Sequence, residues 1–170
     1  AVVEMSECIK ILTITETGNS IDSILNRIEV LASRDKIKAF VLDPWNEIEH
    51  QRPAKLSETE YISNVLSRLR NFARIHNLAC FVVAHPTKLV KDQKTNQYPV
   101  PSPYDISGAA HWRNKADVCL CIWRDQNKND GSVELHIQKV RNKNAGRAPN
   151  KVVLQWIRAN GSLSDKRKYD

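Results

Sequence analysis

Glycine is scarce in this chain, with five in 170 residues. No G-x-x-x-x-G-K-[ST] stretch occurs, so the chain holds no loop of the kind that cradles phosphates with backbone N–H groups. Long apolar runs are missing too, and nothing approaches the ~20 residues that a membrane-spanning helix needs. The N-terminus shows no basic region leading into a hydrophobic core, so no export signal is visible. The four cysteines lack metal-ligand spacing: Cys8 and Cys80 are isolated, while Cys119 and Cys121 alternate along a strand pattern and face one side. They read as reduced core or half-core residues of a cytoplasmic protein. There is no internal repeat and no linker-like segment, and 170 residues suit one domain with its own core.

What is present is unevenly charged. Residues 1–84 hold 10 Lys and Arg against 11 Asp and Glu, whereas residues 85–170 hold 16 against 8. The whole formal charge of +7 therefore comes from the second half, which suggests a polyanion partner there.

Strand and helix signals alternate. Glu7 to Thr15 alternates apolar and polar residues as a strand does. Ser20 or Asp22 can cap a helix whose apolar positions Ile21, Ile24, Leu25, Ile28 and Leu31 keep helical spacing. Ala39 to Leu42 is a short apolar run. Ser57 and Glu60 form a capping box that opens a helix to about His76, with Tyr61, Ile62, Val65, Leu66, Leu69 and Phe72 on its inner face. A second apolar run, Leu78 to Ala84, follows. Lys88 to Pro103 is too rich in Lys, Gln, Asn and Pro for regular structure, and loops of that length are functional or mobile. A short helix around Ala109 to Arg113 leads to strands at Asp117 to Arg124, Ser132 to Val140 and Lys151 to Ile157. The tail from Ser164 to Asp170 is charged and expected to fray. The early rhythm implies a parallel sheet, the ending an antiparallel meander, and the whole an α/β fold.

The most informative residue is Asp43. Four apolar residues run into a lone carboxylate, as at the C-terminal edge of a buried parallel strand, where open α/β sheets place their ligands. An acid there can hold the water shell of Mg²⁺, although an Asp ending a strand is also an ordinary turn former. The Leu78–Ala84 strand ends in His85-Pro86-Thr87-Lys88, so two strands deliver polar side chains to one sheet edge. His50, His76, His111 and His136 read as structural or surface residues, and Trp45 and Trp112 as packing anchors.

Four segments follow one another in a recognisable order: Val41-Leu42-Asp43-Pro44-Trp45-Asn46-Glu47, Val82-Val83-Ala84-His85-Pro86-Thr87-Lys88, the stretch from Tyr104 through Ser107-Gly108-Ala109-Ala110-His111-Trp112 to Asp117, and Gln138-Lys139-Val140-Arg141-Asn142. From roughly Ile9 to Leu163 the chain resembles hexameric replicative helicases, above all the phage primase–helicase and Twinkle-like branch, with the bacterial DnaB helicase more distant. The resemblance implies a RecA-like P-loop NTPase core that uses ATP or another NTP with Mg²⁺, assembles as a hexameric ring and moves along single-stranded DNA. It implies that Asp43 is the magnesium acid and His85 the sensor of the γ-phosphate. Lys88, Lys91 and Lys94 fall in a DNA-contacting loop. Arg141 resembles the arginine finger, with Lys139 on the same face of its strand. Arg124 and Trp156 match positions that pack on the nucleotide base. A bacterial or phage cytoplasm is the implied setting.

The phosphate loop and the general-base glutamate of that family have no counterpart here, since Glu4 lies too close to the Ile9 strand. Residues 1–170 are therefore expected to form a single domain, the C-terminal portion of a motor truncated at its N-terminus, with residues 163–170 a disordered tail. Such a fragment is expected to be inactive alone. A non-catalytic nucleic-acid-binding or subunit-assembly module with the same fold is the alternative, but it has no need of Asp43, His85 and Arg141 together. In RecA-like sheets the phosphate-loop strand lies between the His85 and Arg124 strands. Those two are thus expected either to pair directly or to leave edges that self-associate.

Overall fold

A computed structural model describes residues 9–12, 18–108 and 110–165. Helix α1 spans Ile21–Arg34, and its first turn is closed by Ser20, whose hydroxyl accepts from the Ser23 N–H. Its apolar stripe buries Ile21, Leu25 and Ile28. Strand β1 (Ala39–Leu42) alternates in burial. Helix α2 (Glu58–Ile75) carries the expected capping box between Ser57 and Glu60 and buries Ile62, Val65, Leu66, Leu69 and Ala73. Strand β2 (Ala79–Val82) pairs with β1 in parallel, with Phe40 opposite Cys80 and Leu42 opposite Val82. Helix α3 (Ala110–Lys115) leads into β3 (Val118–Trp123), β4 (Ser132–Val140), β5 (Asn150–Ile157) and β6 (Ser162–Asp165). These last four form an antiparallel sheet in chain order.

The core is built from α1, β1, α2 and the two tryptophans that the sequence marks as anchors. Trp45 and Trp112 meet edge to face at 5.1 Å, and Phe40 meets Phe72 the same way at 6.0 Å. The Trp112 indole N–H is satisfied by the Ser107 carbonyl at 2.7 Å, as a buried indole requires. Gly108 makes this approach possible. Its φ is +82°, and a Cβ there would sit 2.8 Å from Ile62 Cδ1, so only glycine fits without displacing α2. Burial pushes the Cys80 thiol up to about 11; Cys80, Cys119 and Cys121 are free thiols, and Cys8 lies outside the described residues.

Three expectations need correction. Ile9 to Leu12, the described middle of the Glu7–Thr15 segment, are exposed and without regular structure; alternation makes a strand only where a neighbour completes the ladder. The tail is not frayed from its start. Asn160 and Gly161, the latter at φ +70°, turn the chain back, and Ser162–Asp165 pair with Leu154–Ile157; residues 166–170 lie outside the described residues. Finally, β2 and β3 do not pair but belong to separate sheets. The segment leading into β3 is held on α2 instead, where Lys115 donates to Ser67 Oγ at 2.5 Å and Arg70 reaches Asp117 at 3.1 Å. Each of β2 and β3 is therefore left with one open edge.

Candidate nucleotide and nucleic-acid sites

The parallel register continues past the named strands: the Val83 N–H donates to the Leu42 carbonyl at 2.9 Å, and the Trp45 N–H to the Val83 carbonyl at 2.8 Å. That ladder carries Asp43 and His85 out of the C-terminal ends of neighbouring strands, onto the same edge. Both are exposed. Neither carboxylate nor imidazole has a hydrogen-bond or ion-pair partner among the described residues, so both are available to a ligand. No group of three or more His, Cys, Asp or Glu side chains gathers as a metal cluster among the described residues. Asp43 thus offers a single carboxylate, which suits Mg²⁺, an ion that keeps several waters and takes its other ligands from phosphates.

Beyond His85 the chain enters the lysine-bearing loop, which has no helix or strand yet is closely tied. At its base, the N–H and the hydroxyl of Thr87 both donate to the Asp105 carbonyl, at 2.6 and 2.7 Å. Near its end Gln138 of β4 donates to the Pro101 carbonyl at 2.5 Å. In between, the Asp92 carboxylate accepts from the N–H groups of Lys94 and Thr95. Those bonds, with the Thr95 backbone contributing most, hold its carboxyl below the usual carboxylate range. Lys88, Lys91 and Lys94 are all exposed, and the Lys91 ammonium lies 5.1 Å from the centre of the Tyr98 ring. An open pocket of about 320 Å³ separates this loop from the end of β3, with Pro86 and Thr87 on one wall and Trp123 and Arg124 on the other.

Arg124 and Trp156, paired by the sequence reading, do meet: the guanidinium lies 5.6 Å from the Trp156 ring centre, with Arg158 at 5.9 Å from the same ring. An aromatic flanked by guanidinium groups is a surface on which a base can stack.

Arg141 and Lys139 lie elsewhere. Both converge on the C-terminal end of α3, whose last carbonyls have no intrahelical donors and attract cations. Lys139 donates to the carbonyls of Arg113 and, at 2.8 Å, Ala116, while Arg141 donates to those of Asn114 at 2.6 Å and Ala116 at 3.2 Å. Arg141 Nε also pairs with Asp117 at 2.7 Å, and Arg70 shares that carboxylate. Burial first, and then repulsion from Arg141, lowers the pKa of Lys139. Lys139 consequently has a structural role as a helix C-terminal cation that the sequence did not disclose. Val118 pairs with Val140 and Trp123 with Glu134, so Arg141 and Arg124 flank opposite ends of one ladder, roughly 20 Å apart at ~3.3 Å per residue. The designated residues thus fall into two groups: Asp43, His85, the lysine loop and Arg124 on one side, Lys139 and Arg141 on the other.

Two residues escaped the sequence reading. Asp125 is the one polar or charged residue buried among the described residues, at 8% exposure, and its carboxylate accepts from Gln97 at 3.0 and 3.1 Å. The run Asp125-Gln126-Asn127 signals a turn, but nothing in it points to a partner 28 residues away.

Comparison with known proteins agrees with this architecture. No family model matches the chain. Over 149 residues it is 38% identical to the Twinkle homolog protein, chloroplastic/mitochondrial, of Arabidopsis thaliana, a match that takes in 86% of this chain and 20% of that protein. A DnaB-like replicative helicase, solved in a study of its interactions with primase, superposes with a TM-score of 0.69 at 20% identity, covering 89% of this chain and 37% of the other. A second solved structure, an isolated ATPase domain, gives 0.70 at 19% identity, covering 89% and 53%. The chain spans about a fifth of the length of its curated relative. That relative's name places it in chloroplasts and mitochondria, which lends no support to the bacterial or phage setting. Among the described residues no helix is long and apolar enough to cross a membrane.

Proposed function

Because the chain carries part of a RecA-like replicative-helicase motor domain, we propose that it supplies one share of a nucleotide-driven motor on single-stranded DNA, within a longer protein that assembles as a hexameric ring. Asp43 holds the water shell of Mg²⁺ and His85 faces the γ-phosphate of ATP or another NTP. Arg124 and Trp156 pack on the base, Lys88, Lys91 and Lys94 follow the DNA backbone, and Arg141 acts in the neighbouring subunit's site with Lys139 beside it. Bound Mg²⁺ supplies charge neutralisation at the transferring phosphate.

The observation that carries this reading is the split of the site residues between opposite ends of the β3–β4 ladder. A single compact nucleotide cannot reach both groups in one chain. Two neighbouring subunits can bring them together, which is what a finger working in trans requires. The open edges of β2 and β3 support the same reading. Val41, Phe81 and Val83 on the first sheet and Val118, Leu120 and Ile122 on the second are all exposed, as strands that await a central phosphate-loop strand and its covering helix would be.

The test uses the full-length protein. Asp43→Ala and Arg141→Ala should each suppress DNA-stimulated hydrolysis, the arginine change by about 10³-fold or more. Mixed rings place some intact Asp43 sites against an intact Arg141, and hydrolysis should partly return. If subunits exchange, as followed by fluorescence transfer, and the mixture is no faster than either variant, Arg141 does not act across the interface.

A further inference from the structure

The loop that carries Lys88, Lys91 and Lys94 is held at its tip by a bond between side chains, and charge decides whether that bond exists. We propose that Gln97 and Asp125 form a latch that fixes the lysine loop in the position from which it meets nucleic acid, and that both are positioning residues for that contact. The inference rests on the reading of the loop as a DNA-tracking segment.

The physical case begins with burial. A carboxylate at 8% exposure has lost most of its water and needs compensating donors. Asp125 Oδ1 accepts the Asn127 N–H at 2.9 Å, within its own turn. Lys128 stands off at 3.9 Å. The remaining donor is the Gln97 amide, which reaches both oxygens. Opening the latch would therefore strand a buried charge, and that penalty keeps the loop closed. The loop's other ties act at its base, through Thr87, and near its end, through Gln138. The intervening lysines depend on the tip. Gln97 also accepts, through its backbone carbonyl, the Asp92 N–H at 2.9 Å, so the latch residue closes the turn in which Lys94 sits. A loop held this way meets a phosphate backbone with less ordering left to do, and preorganisation of that kind strengthens binding without adding contacts.

The test uses variants of the intact protein, hydrogen exchange of peptides covering residues 88–101, and oligothymidylate binding across a salt series. Gln97→Ala removes the donor without changing charge. Gln97→Glu places two carboxylates face to face and should open the latch further. In the double variant Gln97→Glu with Asp125→Asn, the asparagine amide donates to the new glutamate while its carbonyl still accepts the Asn127 N–H, at the original total charge. Exchange in the loop should rise about tenfold or more in Gln97→Ala, with α1, α2 and β4 unchanged. It should rise further in Gln97→Glu and return to the wild-type rate in the double variant. Oligothymidylate affinity should follow the same order, and Gln97→Ala should keep the wild-type salt slope because no phosphate contact is removed. Unchanged loop exchange in both single variants, or no recovery in the double variant, overturns the latch. Released loop exchange with unchanged affinity overturns the positioning role, provided that removing the three lysines still flattens the slope. If the lysine variant leaves the slope unchanged, it is the DNA reading of the loop that fails.

Discussion

The helix-backed pair β1–β2 and the four-stranded meander β3–β6 are held together differently. Every residue of the main core cluster comes from α1, α2, β1, the turn after β1 or Trp112. The meander contributes none, and of its strand residues only Cys119 and Val133 are buried. Most of β4 and β5 is half-covered, and one face of β3 is open. The first region is a packed layer whose stability comes from burial; the second is a hydrogen-bonded ladder that still has apolar surface to cover. Charge divides along nearly the same line, with the packed half near neutral and the ladder half strongly basic. The lesson is that one half serves as scaffold while the other presents surfaces to partners, and substitutions should separate the two.

The largest effect is expected at the joint. Trp112 is the one core residue supplied from the ladder half, so Trp112→Ala should lower stability by about 3–5 kcal/mol, as buried aromatic truncations do. Equilibrium denaturation would measure it, and a change below ~1 kcal/mol would mean that the two regions are not joined through this residue. Replacing Lys88, Lys91 and Lys94 by Ala should leave the melting temperature alone. It should flatten the log–log salt dependence of single-stranded DNA binding by roughly 2 units, at about 0.7 per phosphate contact; an unchanged slope moves the DNA surface elsewhere. The smallest effect is expected at Leu120 and Ile122. Changing both to Thr should shift the stability of residues 1–170 by no more than about 0.5 kcal/mol per site, as exposed positions do, while reducing self-association in sedimentation experiments. A large loss of stability would show that this face is already covered within the chain.

Helix α2 shows how far local signals reach. Its capping box, inner face and C-terminal end at His76 were legible because each depends on residues within a few positions of one another. Strands β3, β4 and β5 were legible for the same reason, through alternation. The short β6 was not. Its residues carry no apolar pattern, and it exists because β5 offers an edge and Gly161 turns the chain toward it. The site follows the same division. Asp43 and His85 could be named from apolar runs ending in polar residues, and Arg124 with Trp156 from the family resemblance. The convergence of Lys139 and Arg141 on the end of α3, and the reach of Gln97 to Asp125, join residues that are distant in sequence.

By itself, then, the sequence determined the order of helices and strands, the identity of the core stripes, the absence of a phosphate loop and the set of candidate residues at strand ends. These are properties of short windows, where periodicity, capping and turn chemistry act. The tertiary structure alone decided that β2 and β3 stay apart, that Arg141 and Arg124 occupy opposite ends of one ladder, and that Asp125 is buried beneath the lysine loop. The physical reason is that burial, ladder edges and long-range hydrogen bonds depend on which distant segments share a space, and no local pattern records that.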